Sequence, residues 1–203
     1  NAFGGDFVVT ETCDSALPSH GHIGCGRCWE GRDGDTEYVS EIGRFKLVND
    51  PASWGGRRPK VLVLGISKGN TQTNVMNISN FDEVAFKDMM KNLTDVLQTV
   101  GVAKDVGSVK ELIQADEKSF AWGSVVRCSL TGWDKKKNQF SAESGKVLPA
   151  FKDEQMSKVC FNCMDQHLLN LPSELKLIIL LGNSEAYVRN HGDVCPTTLS
   201  ARF

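Results

Sequence analysis

Two thiols two residues apart, in Gly24-Cys25-Gly26-Arg27-Cys28, place the strongest constraint on this chain. Such a pair in a Gly-rich turn can hold one metal centre, and a centre of this kind needs two further ligands. The remaining candidates lie far away in sequence. Cys128 directly follows an apolar run, and Cys160 and Cys163 open a helical pattern. A shared centre would tie an N-terminal segment, the middle of a sheet and a late helix into one body. Seven cysteines is an odd number for a disulfide framework, and a chain of 203 residues can build a core without one. That usage fits a reducing, cytoplasmic compartment. Cys13 and Cys195 have no partner spacing and read as ordinary.

Two completions of the site are open. Cys25-x-x-Cys28 with Cys160-x-x-Cys163 has the outline of a four-thiolate zinc site, which leaves Cys128 unused. Alternatively, Cys25, Cys28, Cys128 and one of the last pair hold an iron–sulfur cluster, which also needs four thiolates.

The chain reads as one domain over residues 1–203, with 1–24 as an irregular N-terminal segment. No apolar run approaches the roughly 20 residues needed to span a bilayer, and no signal peptide is visible in Asn1–Asp6. A net charge of −2 argues against a protein that coats nucleic acid through bulk charge, but not against a local basic face. A monomer is expected.

Lys60-Val61-Leu62-Val63-Leu64-Gly65, Ala121–Val126 and Leu177–Gly182 are short continuous apolar runs, the pattern of strands buried on both faces. Short strands are also expected at Tyr38-Val39 and Phe45–Val48. Phe86, Met89, Met90, Leu93, Leu97 and Val100 recur at helical spacing, with Gly101 as the stop. Further helices are expected near Val109–Ala115, from Glu154 to Leu171, and after an Asn183 or Ser184 cap. Residues 66–84 and 131–153 read as loops. Strands alternating with helices predict an α/β domain with a parallel sheet. In such sheets ligands bind at the carboxyl ends of strands, here Gly65–Asn70, Arg127–Leu130 and Gly182–Ser184.

Gly24–Cys28 followed by Glu30-Gly31-Arg32, then Val125-Val126-Arg127-Cys128, then Lys158-Val159-Cys160 with Gln166, Leu168 and Leu169, then Leu177–Gly182 form an ordered set. It resembles the iron–sulfur (family 4) uracil-DNA glycosylases over residues 24 to 187. The resemblance implies a three-layer α/β/α domain with a short parallel central sheet. It also implies a structural [4Fe–4S] cluster on Cys25, Cys28, Cys128 and Cys160, selecting Cys160 over Cys163. The implied activity is hydrolysis of the N-glycosidic bond of uracil or another altered base in DNA. The alternative is a non-catalytic iron–sulfur module that binds DNA or a modified base.

The departures fall in the catalytic motifs. The family's G-E-x-P-G segment stands here as Gly65-Ile66-Ser67-Lys68-Gly69-Asn70. Ser67 and Asn70 become the candidates for positioning water, and backbone N–H groups of this loop would meet the departing base. Gly65, Ile66 and Ser124, the last in place of a base-reading Asn, would line the base pocket. Phe86 would stack on the base, with Phe81 as runner-up. Lys68 and the run Lys135-Lys136-Lys137 would contact phosphates. The family's H-P-S-like loop is not found, since His191 is followed by Gly192-Asp193; either the C-terminal strand and its motif are missing from the sequence ending at Phe203 or the protein lacks that part of the site.

Overall fold

A computed structural model describes residues 15–29, 39–69, 81–83, 85–86 and 89–182. In chain order its strands and helices are β1 Gly21–His22, β2 Val39–Ile42, β3 Phe45–Val48, β4 Ala52–Gly55, β5 Val61–Lys68, α1 Met90–Thr99, β6 Phe120–Asp134, β7 Gln139–Ser141, α2 Ser144–Val147, α3 Met156–Leu168 and β8 Leu177–Leu180. Asn70, Cys13, Cys195 and the expected cap at Asn183 or Ser184 lie outside the described residues.

The spine is β6, a 15-residue strand in which every residue from Phe120 to Gly132 is buried. Along one edge it pairs antiparallel with β4 (Trp54 opposite Trp122) and then with β3 (Val48 opposite Ser129). Along the other edge it pairs parallel with β5, then antiparallel with β7. Strand β8 completes that side, parallel to β5. Strand β2 folds back on β3 through a two-residue turn, with Gly43 at φ 58° between Ile42 and Phe45.

This arrangement corrects the expected fold class. The sheet has eight strands and is mostly antiparallel and curled, with few helices; it is not the parallel centre of a three-layer α/β/α domain. Parallel pairing is confined to β5 with its neighbours β6 and β8. The correction has a physical source. Residues 131–153 are not a loop, because β6 continues past Cys128 through Ser129, Thr131 and Asp134, which are polar yet buried. Their polar groups have partners: Ser129 N–H donates to Asp50 Oδ1 at 2.8 Å, Thr131 Oγ1 donates to the Lys46 carbonyl at 3.3 Å, and Asp134 Oδ1 accepts from Lys136 N–H at 2.9 Å. Buried polar groups are tolerated when they are hydrogen-bonded.

Alternation along β5 divides the core. Leu62, Leu64 and Ile66 join a cluster under α3 with Val126, Leu130, Met156, Met164 and Leu168. Val63 faces the opposite way, into a cluster of Trp54, Trp122, Leu93, Leu97 and Ile113 under α1. Helix α1 ends where expected, at Gly101 with φ 78°.

Gly55 fixes how closely β4 can approach β6. It sits at φ 78°, and a Cβ there would lie 2.4 Å from the Phe120 carbonyl oxygen. Gly55→Ala should therefore lower the stability of the folded chain by about 3 kcal/mol, from left-handed strain plus overpacking. Urea denaturation measures this, and an unchanged midpoint would contradict the close approach.

Candidate metal centre

The site is built around a break in the β5–β6 ladder. Ser67 faces Val126, but the next residue, Lys68, faces Ser129. Arg127 and Cys128 are the two extra residues, pushed out of register as a bulge. On the opposite edge β3 ends at Val48 and β4 begins at Ala52, so the segment Asn49–Pro51 crosses beside the bulge. Asp50 pins it there. One carboxylate oxygen accepts from Ser129 N–H, and the other lies 2.6 Å from Lys68 Nζ, which also donates to the Asp50 carbonyl. Asn49 Oδ1 then faces the Cys128 thiol at 3.6 Å.

The N-terminal cysteine pair is brought to this point by its own contacts. Ile23 N–H donates to the Pro51 carbonyl at 2.8 Å, and Cys25 N–H turns back to Ile23 O at 2.9 Å. Cys28 lies in a 3-10 turn, Arg27–Trp29. Arg27 Nη1 donates to Gln166 Oε1 at 2.9 Å, tying that turn to α3. Helix α3 buries Cys160, Cys163 and His167. Cys25, Cys28, Cys128 and Cys163 line one cavity together with Arg127, Asn49 and His167. Cys160 lies one turn earlier, fully buried among the apolar residues under α3. None of the five cysteines forms a disulfide.

Arg127 is the residue that the sequence reading missed. Its side chain is only 1 % exposed, yet none of its three guanidinium nitrogens has a hydrogen-bond partner. The space for it exists because position 123 lacks a side chain: a Cβ on Gly123 would lie 1.6 Å from Arg127 Nη1. Burial pulls the guanidinium down to about 10, partly opposed by Cys163. Burial pushes the thiols the other way. The Cys163 thiol rises to about 11, restrained by the N–H and charge of Arg127, while Cys128 and Cys160 are also raised. His167 is held near 4 by burial and by Arg127, and its Nε2 has no partner. The one signal for Arg127 in the sequence is a cation between an apolar pair and a cysteine, Val125-Val126-Arg127-Cys128.

Of the other expected site residues, Gly65, Ile66, Ser67 and Lys68 lie in β5, with Ser124 opposite Gly65. Ile66 is a core residue. Ser67 Oγ donates to the Leu130 carbonyl at 2.9 Å, and Ser124 is buried opposite Gly65 in the ladder. The Gly65–Lys68 and Arg127–Leu130 segments lie within strands and not at loop-bearing strand ends. Lys68, 1 % exposed and paired with Asp50, is sealed from any phosphate. Phe86 packs on Trp122 at 5.4 Å, and Phe81 stacks on Trp54 at 4.9 Å. Lys135, Lys136 and Lys137 are exposed on the β6–β7 turn, with Lys137 paired to Glu143.

Beside the cysteine cavity runs an open groove. Its lining includes Arg27, Arg57, Gln166, His167 and Asn170, with no carboxylate among the described residues. His167 borders both spaces.

Comparison with protein-family models, with curated proteins and with solved structures finds no match to this chain. Among the described residues no helix is long and apolar enough to cross a membrane. Fold and site together define a curled, mostly antiparallel sheet bearing a cysteine-lined cavity.

Asp50→Asn tests the pin. It leaves the buried Lys68 ammonium without a counter-charge and should destabilise the fold by about 3 kcal/mol at pH 7. Burial already holds the Lys68 pKa below its ordinary 10.5, and Asp50 opposes that shift. Without the carboxylate the folded chain releases the Lys68 proton at a lower pH than the wild type does, while the unfolded chain keeps it to about 10.5. The loss should therefore be full where position 50 of the wild type is a carboxylate and Lys68 is protonated, and shrink toward alkaline pH. A pH series of thermal melts reads this, and a loss independent of pH would contradict it.

Proposed function

We propose that this chain is an iron–sulfur protein that binds DNA, with the cluster as the clamp that fixes its N-terminal segment against the sheet and α3. The carrying observation is the buried, unpartnered guanidinium of Arg127 among four cavity-lining thiols. A buried cation without a partner costs several kcal/mol. A four-thiolate centre is anionic, so the donor set and the cation fit a group of that charge. When bound, a [4Fe–4S] cluster would supply a fixed cross-link and a negative charge. The protein's own residues shape the site: the bulge aims Cys128, Asp50 fixes Asn49 beside it, and the Arg27–Gln166 bond draws Cys28 toward α3.

Among the described residues no three His, Cys, Asp or Glu side chains form a ready-made ligand set for an ion. A zinc ion on the same thiols is the second reading, favoured by the small cavity of about 20 Å³. For a cluster to enter, the Cys25–Cys28 turn, which forms the more exposed wall, must move outward.

DNA as partner rests on the resemblance and on the groove next to the cysteines. Arg27 and Arg57 would meet phosphates there, with Gln166 and Asn170 as neutral donors. Binding without base excision is the favoured form. Ile66 lies in the core, Ser67 Oγ donates to the Leu130 carbonyl, and Ser124 is buried opposite Gly65 in the ladder.

Freshly purified protein should be brown, with iron and labile sulfide in equal amounts. A colourless, zinc-containing protein would replace the cluster by the zinc reading. DNA binding measured by fluorescence anisotropy should weaken with salt. Each of Arg27→Ala and Arg57→Ala should reduce the slope of log K against log salt by about 0.9. Duplexes and single strands carrying uracil, hypoxanthine, xanthine or modified cytosines should yield no abasic product. Release of any base would restore the glycosylase reading.

A further inference from the structure

The two cysteines of α3 are not equivalent. They stand one turn apart on the same buried face, and the resemblance to the glycosylase family selects Cys160 as the fourth ligand. The structure separates them by what they touch. Cys163 lines the cavity with Cys25, Cys28 and Cys128, whereas Cys160 does not. Both cysteines belong to the apolar cluster under α3 with Cys128, Met156, Met164 and Leu168, but Cys160 is fully enclosed in it while Cys163 reaches the cavity.

Cys163 also has the contacts of a thiolate ligand. The Arg127 N–H donates to its sulfur at 3.2 Å. That N–H is available because Arg127 lies in the bulge, out of register with β5. The guanidinium of the same residue lines the same cavity and has no other partner. Outer-shell hydrogen bonds of this kind orient metal ligands and tune the metal they hold. A buried thiol surrounded by apolar side chains behaves instead as a small hydrophobe.

We propose that Cys163, and not Cys160, is the fourth thiolate of the centre, with Arg127 as its positioning residue through the main-chain N–H and as its counter-charge through the guanidinium. This rests on the metal-centre reading above and holds for a cluster or for zinc. Ligation replaces the thiol proton with the metal, so each thiolate formed releases one proton to solvent and no oxidant or reductant is needed for that step. The bulge then has two roles: it aims Cys128 into the cavity and turns the N–H of Arg127 toward Cys163.

The test is metal content per chain in purified Cys160→Ala and Cys163→Ala, measured by elemental analysis and, for a cluster, by visible absorption. Wild-type protein without metal would end the metal-centre reading before either variant is compared. With metal in the wild type, Cys160→Ala should keep its full load and spectrum. Cys163→Ala should fall below a tenth of it. If Cys163→Ala does not fold, Cys160→Ala decides alone, because a full load in that folded variant leaves Cys163 as the only other described cysteine on α3. Loss of metal from Cys160→Ala, or a full load in Cys163→Ala, overturns the assignment.

Discussion

The ion pair between Lys68 and Asp50 crosses the one place where the sheet breaks its own register. Lys68 ends β5 on one edge of β6, and Asp50 lies in the connection between the two strands on the other edge. Between them run Arg127 and Cys128, the two residues that the ladder does not pair. A buried pair like this adds little net stability, because desolvating both charges offsets most of their attraction. What it does supply is specificity. An ammonium that is 1 % exposed must find its carboxylate, and only one alignment of Asn49–Pro51 over the bulge provides it. That alignment also sets Asn49 against Cys128 and gives Ile23 its acceptor at Pro51. The cysteines of the turn and of the sheet therefore meet through one electrostatic contact.

Arg127 and the thiols are destabilised by the same burial in opposite directions. The thiols are pushed toward their neutral form and the guanidinium loses part of its preference for its charged form. Each would be relieved by the charge that the other lacks. Thiols that stay protonated offer Arg127 nothing, and a neutral Arg127 would leave thiolates unopposed. A metal bound to the thiols would resolve both at once, since ligation requires deprotonation. Gly123, whose missing Cβ makes the guanidinium slot, shows that the room for this charge is built into the strand.

Much of the framework was legible because it is written in apolar periodicity. The strand β8, the starts of β5 and β6, helix α3 and α1 from Met90 stand where continuous apolar runs or three-and-four spacing place them, whereas Phe86 at φ 55° lies outside α1 and β5 runs on through Lys68. The fold class was not legible, for two reasons. The antiparallel partners β2, β3 and β4 are four residues each, too short for a firm pattern. The far half of β6 carries Ser129, Thr131 and Asp134, whose burial depends on hydrogen bonds to Asp50, Lys46 and Lys136. Those partners are tertiary, and no local pattern announces them. At the site, residue type and spacing left Cys128 open as a partner of Cys25 and Cys28; the resemblance selected it, and the three line one cavity. The contact of Arg127 N–H with Cys163 was not legible, because it depends on which way a bulge directs that N–H.

The departures from the glycosylase motifs and the burial of those positions have a common cause. Ile66 stands where the family has an acid, and it is in the core. Lys68 stands where the family has a proline, and its N-terminal neighbour Ser67 remains in the ladder opposite Val126. A proline at position 68 would remove an N–H from the sheet just where the register changes, and it could not pair with Asp50. Ser124, in place of an amide, is small enough to lie buried across from Gly65. Each substitution suits a residue enclosed in a strand and suits poorly a residue that must meet a base. The segment extends β5 through Lys68, to the point where Lys68 can reach Asp50. In this chain Lys68, at the end of that segment, pairs with Asp50 and so fixes the connection that runs beside Cys128.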